Sequence, residues 1–186
     1  MKSKLLGKLV LPYAESVLTT LVPHCQRIEI LGSLRRGKEF VGDVELLVIP
    51  KGVQQRVLFD GQPTKIAADS ELIKAIHQFN VVKGGLEDHG HMVQFFGPRR
   101  IPFDLFVAGY ENFGYQKVIR TGPHEHNVGF IIPMLKYMGY ELKDAHIWKG
   151  EQLILIPEEE NLYDLIQTPV IPPNERQFFT KTKELK

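Results

Sequence analysis

Residues 32–48 have the sequence GSLRRGKEFVGDVELLV, in which a Gly-Ser pair is followed ten residues later by two acids. Asp43 and Glu45 are two positions apart, so the period of a β-strand places both carboxylates on one face. Val44 and Leu46 then point to the opposite face, into a core. Because a hard divalent cation prefers clustered oxygen ligands, this strand predicts a metal site.

Gly32 and Ser33 predict a second binding element beside these acids. A Gly-Ser turn presents bare backbone N–H groups, and a helix that begins there presents more, so it can hold a phosphate chain. A divalent metal site next to a phosphate-binding turn is suited to phosphoryl transfer onto a hydroxyl. The two elements together favour a nucleotidyltransferase.

A third acid, Asp104, lies in the segment IPFDLFV at residues 101–107. Its apolar neighbours share one strand face and Asp104 occupies the other, where a lone carboxylate is costly unless it is paired or metal-bound. Asp104 is therefore the candidate for the third metal ligand. The alternative is an acid that faces water on an edge strand, which Pro102 would suit.

The whole chain has 186 residues, 43% of them hydrophobic, and a formal net charge of +1. That charge is too small to hold nucleic acid by itself, so any such binding needs locally placed basic residues. Cys25 is the only cysteine, which excludes an internal disulfide and predicts a reducing compartment such as the cytoplasm. No apolar run is long enough to predict a membrane span, and the N-terminus has no signal-peptide pattern.

Periodicity and turn signals predict an α+β fold with a mixed sheet, helices on one of its faces, and a small C-terminal α+β subdomain. A helix is expected at 13–21, after Pro12, and a hairpin is expected around Asp60-Gly61. The domain boundary is placed at about 110, giving domains 1–110 and 111–186. The other expected elements are strands at 27–31, 43–49, 81–83, 91–96, 101–107, 140–143 and 153–156, and helices at 70–79 (with Asp69 as N-cap), 112–120, 125–138 and 158–166. Glu158, Glu159 and Glu160 are expected to form a solvated N-terminus of the last helix.

The stretch at 32–48 resembles the palm signature of the DNA polymerase beta family (family X), within the nucleotidyltransferase superfamily. Three further segments are similar to that family, so the likeness covers about residues 27 to 176. The first is Phe103-Asp104-Leu105-Phe106, and the second is Thr121-Gly122-Pro123 followed by Glu125-His126-Asn127. The third is the C-terminal segment, in which the likeness covers 159–163 and 169–176.

The resemblance implies that Asp43 and Glu45 ligate two Mg²⁺ ions, for which Mn²⁺ can substitute, and that Asp104 ligates the catalytic one. It implies that Ser33 and Arg36 hold the triphosphate, helped by backbone N–H groups near Gly32 and Gly42. Thr121 and Gly122 would pass beside the incoming sugar, and Asn127 would reach the incoming base. For Arg35, a surface salt bridge is as good an expectation as a contact with the triphosphate. The implied partners are a nucleoside triphosphate and primer-template or gapped DNA, and the implied state is a monomer.

The chain also departs from the family. The second expected metal ligand is Glu45, where these polymerases usually carry Asp. The two positions before Thr-Gly, where they commonly carry an aromatic pair, are Ile119 and Arg120. The helix after Asn127 has no Arg where template-bracing polymerases place one. The similarity of the C-terminal half to the family makes gap-filling DNA synthesis the first expectation, while the missing Arg favours its alternative. A template-independent transferase acting on RNA, a small molecule or a protein is the alternative, and a non-catalytic nucleotide- or DNA-binding module is a third reading.

Overall fold

The computed structural model describes residues 4–51, 71–86 and 91–176. The hairpin expected around Asp60-Gly61 and the N-cap expected at Asp69 lie outside these residues. A five-stranded sheet forms the centre of the fold, in the order β2-β4-β7-β6-β5. Its strands are β2 (Cys25–Ile30), β4 (Val44–Pro50), β5 (Asn80–Gly85), β6 (Met92–Phe96) and β7 (Pro102–Val107). A short pair, β1 (Leu5–Leu6) with β3 (Phe40–Val41), lies apart from this sheet.

The sheet is mixed because β4 and β7 run parallel while the other neighbouring strands are antiparallel. The predicted α+β class is thus confirmed. Alternation along the strands gives the sheet two different faces. One face is apolar along its whole length and packs against α1 (Gly7–Leu21) and α3 (Glu71–Ile76). The other face carries the acids at one end and an apolar patch around Leu47, Ile49 and Phe106 further along.

Helix α1 begins at Gly7, so the expectation that Pro12 precedes the helix was wrong. Proline removes the hydrogen bond that its N–H would make to the carbonyl of Lys8. Both Lys8 and Pro12 are exposed, so water can bind that carbonyl. The buried stripe Val10, Ala14 and Val17 continues through the proline and holds the helix on the sheet.

The C-terminal part packs around a separate apolar cluster that includes Val118, Ile131, Leu135 and Tyr163. Its helices are α4 (Phe113–Thr121), α5 (His124–His126), a π-helical turn (Asn127–Ile131), α6 (Ile132–Tyr137) and α7 (Glu159–Leu165). Its antiparallel sheet has strands β8 (Glu141–Lys143), β9 (His146–Lys149) and β10 (Gln152–Ile154). The small C-terminal sheet was expected, whereas its central strand β9 was not. Within the described ranges, no helix is long and apolar enough to cross a membrane.

A largely buried ion-pair cluster joins the C-terminal part to the short helical turn that follows β2. Glu159 binds Arg35 and Arg176, and these three side chains are 5%, 20% and 0% exposed. Burial opposes ionisation of Glu159, but hydrogen bonds and charges from the two arginines outweigh it and lower its pKa. The expectation of a solvated acidic helix start is therefore wrong for Glu159, while Glu160 is exposed. Arg35 is a partly buried bridge between the two parts of the chain.

Replacing Glu159 by glutamine should lower the free energy of unfolding by about 3–5 kcal/mol, because the buried guanidinium group of Arg176 and the partly buried one of Arg35 lose their counter-charge. The matched control is Glu160→Gln, which removes the same charge one residue away and should change stability by about 0.5 kcal/mol or less. Urea denaturation of both variants measures the difference. Equal stability of the two variants would contradict this account of the cluster.

Candidate active site

Two of the predicted acids face each other across neighbouring strands. Glu45 on β4 and Asp104 on β7 are partners in the register of the parallel pair. Asp43 lies just before β4 and has the same parity as Glu45. On the other side of Asp104, Gln94 of β6 is its register partner and donates a 2.9 Å hydrogen bond from Nε2 to Oδ1. Alternation on three strands thus places three acids and one amide at one end of one sheet face.

The acids crowd negative charge around Glu45. The pKa of the Glu45 carboxyl is raised to about 7, first by burial and then by the charges of Asp43 and Asp104. Arg36 and Arg120 lower it, so Glu45 lies between two like charges and two guanidinium groups. A carboxylate in this position is stabilised by any additional cation.

A divalent cation fits this donor set by its chemistry, since all the donors are carboxylate oxygens. Among the described residues, however, no three His, Cys, Asp or Glu side chains converge into a group that could hold a metal ion. Mg²⁺ is usually bound by one or two carboxylates together with substrate phosphates and water, rather than by a cage of protein ligands. Asp43, Glu45 and Asp104 are suited to that kind of shared site.

Glu45 should make the stability of the metal-free protein depend on pH. Between its ordinary pKa of 4.5 and its raised pKa of about 7, the folded state holds more protons at Glu45 than the unfolded state does. Its contribution to the free energy of unfolding therefore falls as pH rises through this window. Chemical denaturation of the wild type and of Glu45→Gln in chelator, from pH 4.5 to 7.5, measures it. The variant should lack this component, and identical pH profiles would contradict the account.

Gly32 brings the turn that was predicted to bind phosphate against the acids. It has φ +64° and opens α2 (Gly32–Arg35), directly after β2. A Cβ at this position would overlap Oε2 of Glu45. The backbone of the turn therefore touches the carboxylate, which only a glycine permits.

Arg36 connects this turn to the second predicted nucleotide-binding segment. Its Nη1 donates a hydrogen bond to the carbonyl of Thr121. A Cβ built on Gly122 would lie 3.3 Å from this Nη1 atom. Arg35 also reaches this segment, with a 2.8 Å hydrogen bond from Nη1 to Oγ1 of Thr121. The fold thus brings Gly32, Arg36, Thr121 and Gly122 together although they are far apart in the chain.

A cavity of about 410 Å³ opens beside Arg36. Its lining includes Lys38, Asn174 and Arg176, so three basic side chains face it with one acid, Glu125. Burial lowers the pKa of Arg36, and nearby Arg176 lowers it further while Glu45 raises it. An anionic group in this cavity would offset both unfavourable contributions.

The remaining predicted residues have fewer contacts with the acids. Gly42 directly precedes Asp43 and has open space where a Cβ would stand. Asn127 is 7% exposed and donates a 2.7 Å hydrogen bond to the carbonyl of Ile119, so its amide is held by the backbone. No hydrogen bond or ion pair between described residues links the side chain of Ser33 or Asn127 to the three acids.

Three residues of this region were not predicted from the sequence. Gln94 binds Asp104, and its signal was the alternation of β6, in which Gln94 and Met92 share the acid face. Arg176 and Glu159 support the basic cavity from a distant part of the chain, and no local pattern marks that contact.

No protein-family model matches this chain, and no curated protein shows significant similarity to it. The likeness to family X therefore depends on the motifs quoted above and on the site geometry.

Proposed function

We propose that this chain is a metal-dependent nucleotidyltransferase similar to the family X DNA polymerases. It would transfer a nucleoside monophosphate from a deoxynucleoside triphosphate to a DNA 3′-hydroxyl, as in filling short gaps. The observation that carries the proposal is the register pair Glu45 and Asp104, with Asp43 beside it and a glycine turn packed on Glu45. Few other activities need three acids on one sheet face next to a glycine turn and a basic cavity.

The residues divide into a donor side and an acceptor side. On the donor side, Arg36, Lys38 and the backbone of the turn at Gly32 would bind the triphosphate. On the acceptor side, Asp104 is oriented by Gln94 and would face the attacking hydroxyl. Thr121 and Gly122 would border the sugar, since their backbone is held by Arg36.

The reaction would be an in-line displacement at the α-phosphorus. The acceptor hydroxyl gives up its proton to solvent, its oxygen bonds to the α-phosphorus, and the bond to the bridging oxygen breaks to release pyrophosphate. Bound Mg²⁺ would supply charge neutralisation of the phosphates and acidify the hydroxyl. The protein contributes positioning and fixed charge.

One observation favours a transferase without a template as the second candidate. The π-helical turn Asn127–Ile131, where template-bracing polymerases carry an Arg, reads NVGFI and contains no basic residue. The similarity of 159–163 and 169–176 to the family's C-terminal segment supports DNA as the acceptor.

An extension assay separates the two candidates. The purified chain is incubated with Mg²⁺, one labelled nucleotide and one of three DNA acceptors: a one-nucleotide gap, a primer-template or a lone single strand. Addition of only the complementary nucleotide to the gap supports the first proposal. Equal addition of all four nucleotides to the single strand would favour the template-independent candidate, and RNA or protein acceptors would then be compared.

A further inference from the structure

Arg120 stands where the family usually has an aromatic residue before Thr-Gly. Among the described residues, its guanidinium group has no polar partner. Its Cζ lies 3.8 Å from the centroid of the Phe106 ring. In the part of the chain that the structure describes, it makes no hydrogen bond or ion pair, and its Nε is buried without a partner. A partly buried guanidinium normally binds a carboxylate or a phosphate, because leaving its donors unsatisfied is costly.

The position of Arg120 relates it to the acids rather than to the protein surface. Phe106 follows Asp104 by two residues on β7, so both side chains are on the same sheet face. Burial lowers the pKa of Arg120, while the charges of Glu45 and Asp104 act in the opposite direction. Arg120 is thus within electrostatic range of the acids and is not paired with either.

A cavity of about 230 Å³ opens at Arg120 and is bordered by Val107 and Ala108, which follow Phe106 in the chain. Its lining combines apolar residues with the polar side chains of Asn112, Gln116 and His146, and it also includes two acids, Glu111 and Asp144. The basic cavity beside Arg36 has no lining residue in common with it. Glu45 therefore has one arginine-bearing cavity on the Arg36 side and a second one on the Arg120 side.

We infer that Arg120 binds a phosphate of the acceptor, namely the phosphodiester nearest to the attacking 3′-hydroxyl. This inference rests on the proposed function and names a binding residue for it. Arg36 serves the donor side, so a second anion site across the acids suits the acceptor. In a DNA strand, this phosphate is separated from the terminal hydroxyl by one sugar ring. Arg120 is similarly placed relative to Asp104, because it stacks on Phe106, the next side chain after Asp104 on the same sheet face. The planar guanidinium, stacked on Phe106, is pre-oriented for such a group.

The test combines a protein change with a matched change in the DNA. Arg120→Met removes the charge but keeps a long side chain over Phe106, and the control Lys8→Met removes one exposed charge on the opposite side of the sheet. The DNA carries either a normal or a neutral methylphosphonate linkage next to the 3′-end of the gap, or the neutral linkage several nucleotides upstream. Fluorescence anisotropy gives the dissociation constants, and a separate titration gives that of the Mg²⁺-nucleotide complex.

Arg120→Met should weaken binding of normal gapped DNA by about tenfold or more. The slope of the logarithm of the binding constant against the logarithm of salt concentration should become shallower by the amount expected for about one lost phosphate contact. The terminal methylphosphonate should weaken the wild type equally and add little to the variant's defect. Nucleotide affinity and thermal unfolding should stay near wild type, and Lys8→Met should bind as the wild type does.

Three results would overturn the inference. Equal penalties from terminal and upstream methylphosphonate in the wild type would show that Arg120 does not read the terminal phosphate. A defect confined to nucleotide binding would assign Arg120 to the donor triphosphate. Wild-type protein that binds Mg²⁺-nucleotide but no DNA would overturn both this inference and the DNA acceptor of the proposed function, whereas the first two results leave that function standing.

Discussion

Gly32→Ala is expected to reduce nucleotidyl transfer by on the order of a thousandfold. A Cβ at this position overlaps the carboxylate of Glu45, so either Glu45 leaves its place opposite Asp104 or the turn moves away from β4. Both movements separate the acids from the backbone that we propose binds the triphosphate. Displacements of about 1 Å at a reacting centre can cost about a hundredfold in rate, and here a metal ligand and the triphosphate contact are both affected.

The control for this change is Gly37→Ala. Gly37 has φ +67°, nearly the value of Gly32, but a Cβ there would meet nothing within 4 Å. Both variants therefore carry the same backbone strain, which costs about 1–2 kcal/mol for an L-residue, and only Gly32→Ala adds the clash. Steady-state extension of gapped DNA by both proteins, with thermal unfolding alongside, isolates the clash. Equal activity of the two variants would contradict the contact between the turn and Glu45.

Asp104→Asn is expected to abolish transfer to a similar extent, about a thousandfold or more, with little loss of stability. The amide has the size of the carboxylate and can still accept the hydrogen bond from Gln94 through its oxygen. It lacks the negative charge, and the charge stabilisation provided by a bound metal is worth several kcal/mol. Removing one of three clustered negative charges also relieves repulsion on Glu45.

Asp164→Asn is the matched control, because Asp164 is an exposed acid on α7. Single-turnover extension at saturating Mg²⁺ and nucleotide gives the rate of each variant, and chemical denaturation gives the stability. Asp104→Asn should lose the rate while Asp164→Asn retains it. If Asp104→Asn kept a tenth of the wild-type rate, Asp104 would not be a catalytic metal ligand, and the acid face on the central strands β4 and β7 would need another explanation.

The arrangement of the acid face was predictable from the sequence because it depends on a local rule. Strand alternation around Val44 and Leu46 determines where Asp43 and Glu45 point, and the same rule assigns Asp104 to the face opposite its apolar neighbours. The pairing of β4 with β7 then makes Glu45 and Asp104 register partners. Their metal-binding and catalytic roles stay predictions.

Local signals failed where packing or turn chemistry was unusual. Pro12 is a helix breaker by propensity, but the apolar stripe of α1 gains more from burial than the lost hydrogen bond costs. Strand β9 was missed because its hairpin turn uses Asp144 and Ala145, both at positive φ, without the usual glycine. Buried Ile147 and its pairing with two neighbouring strands hold β9 in place.

Long-range contacts of charged residues were outside the reach of the sequence. Glu159 is one of three consecutive acids, and only the fold decides that it meets Arg35 and Arg176 while Glu160 faces water. Arg120 was recognisable as a departure from the family pattern, but its stacking on Phe106 required the packing of α4 on β7.

The most direct measurement follows two labels through one reaction on gapped DNA with Mg²⁺. One nucleotide sample carries the label on the α-phosphate and the other carries it on the γ-phosphate. The account predicts that the α-label enters the DNA strand while the γ-label is released in pyrophosphate, in equal amounts, and that chelator or Asp104→Asn stops both. Release of the γ-label as inorganic phosphate, or its transfer to the acceptor, would contradict nucleotidyl transfer as the activity of this acid face.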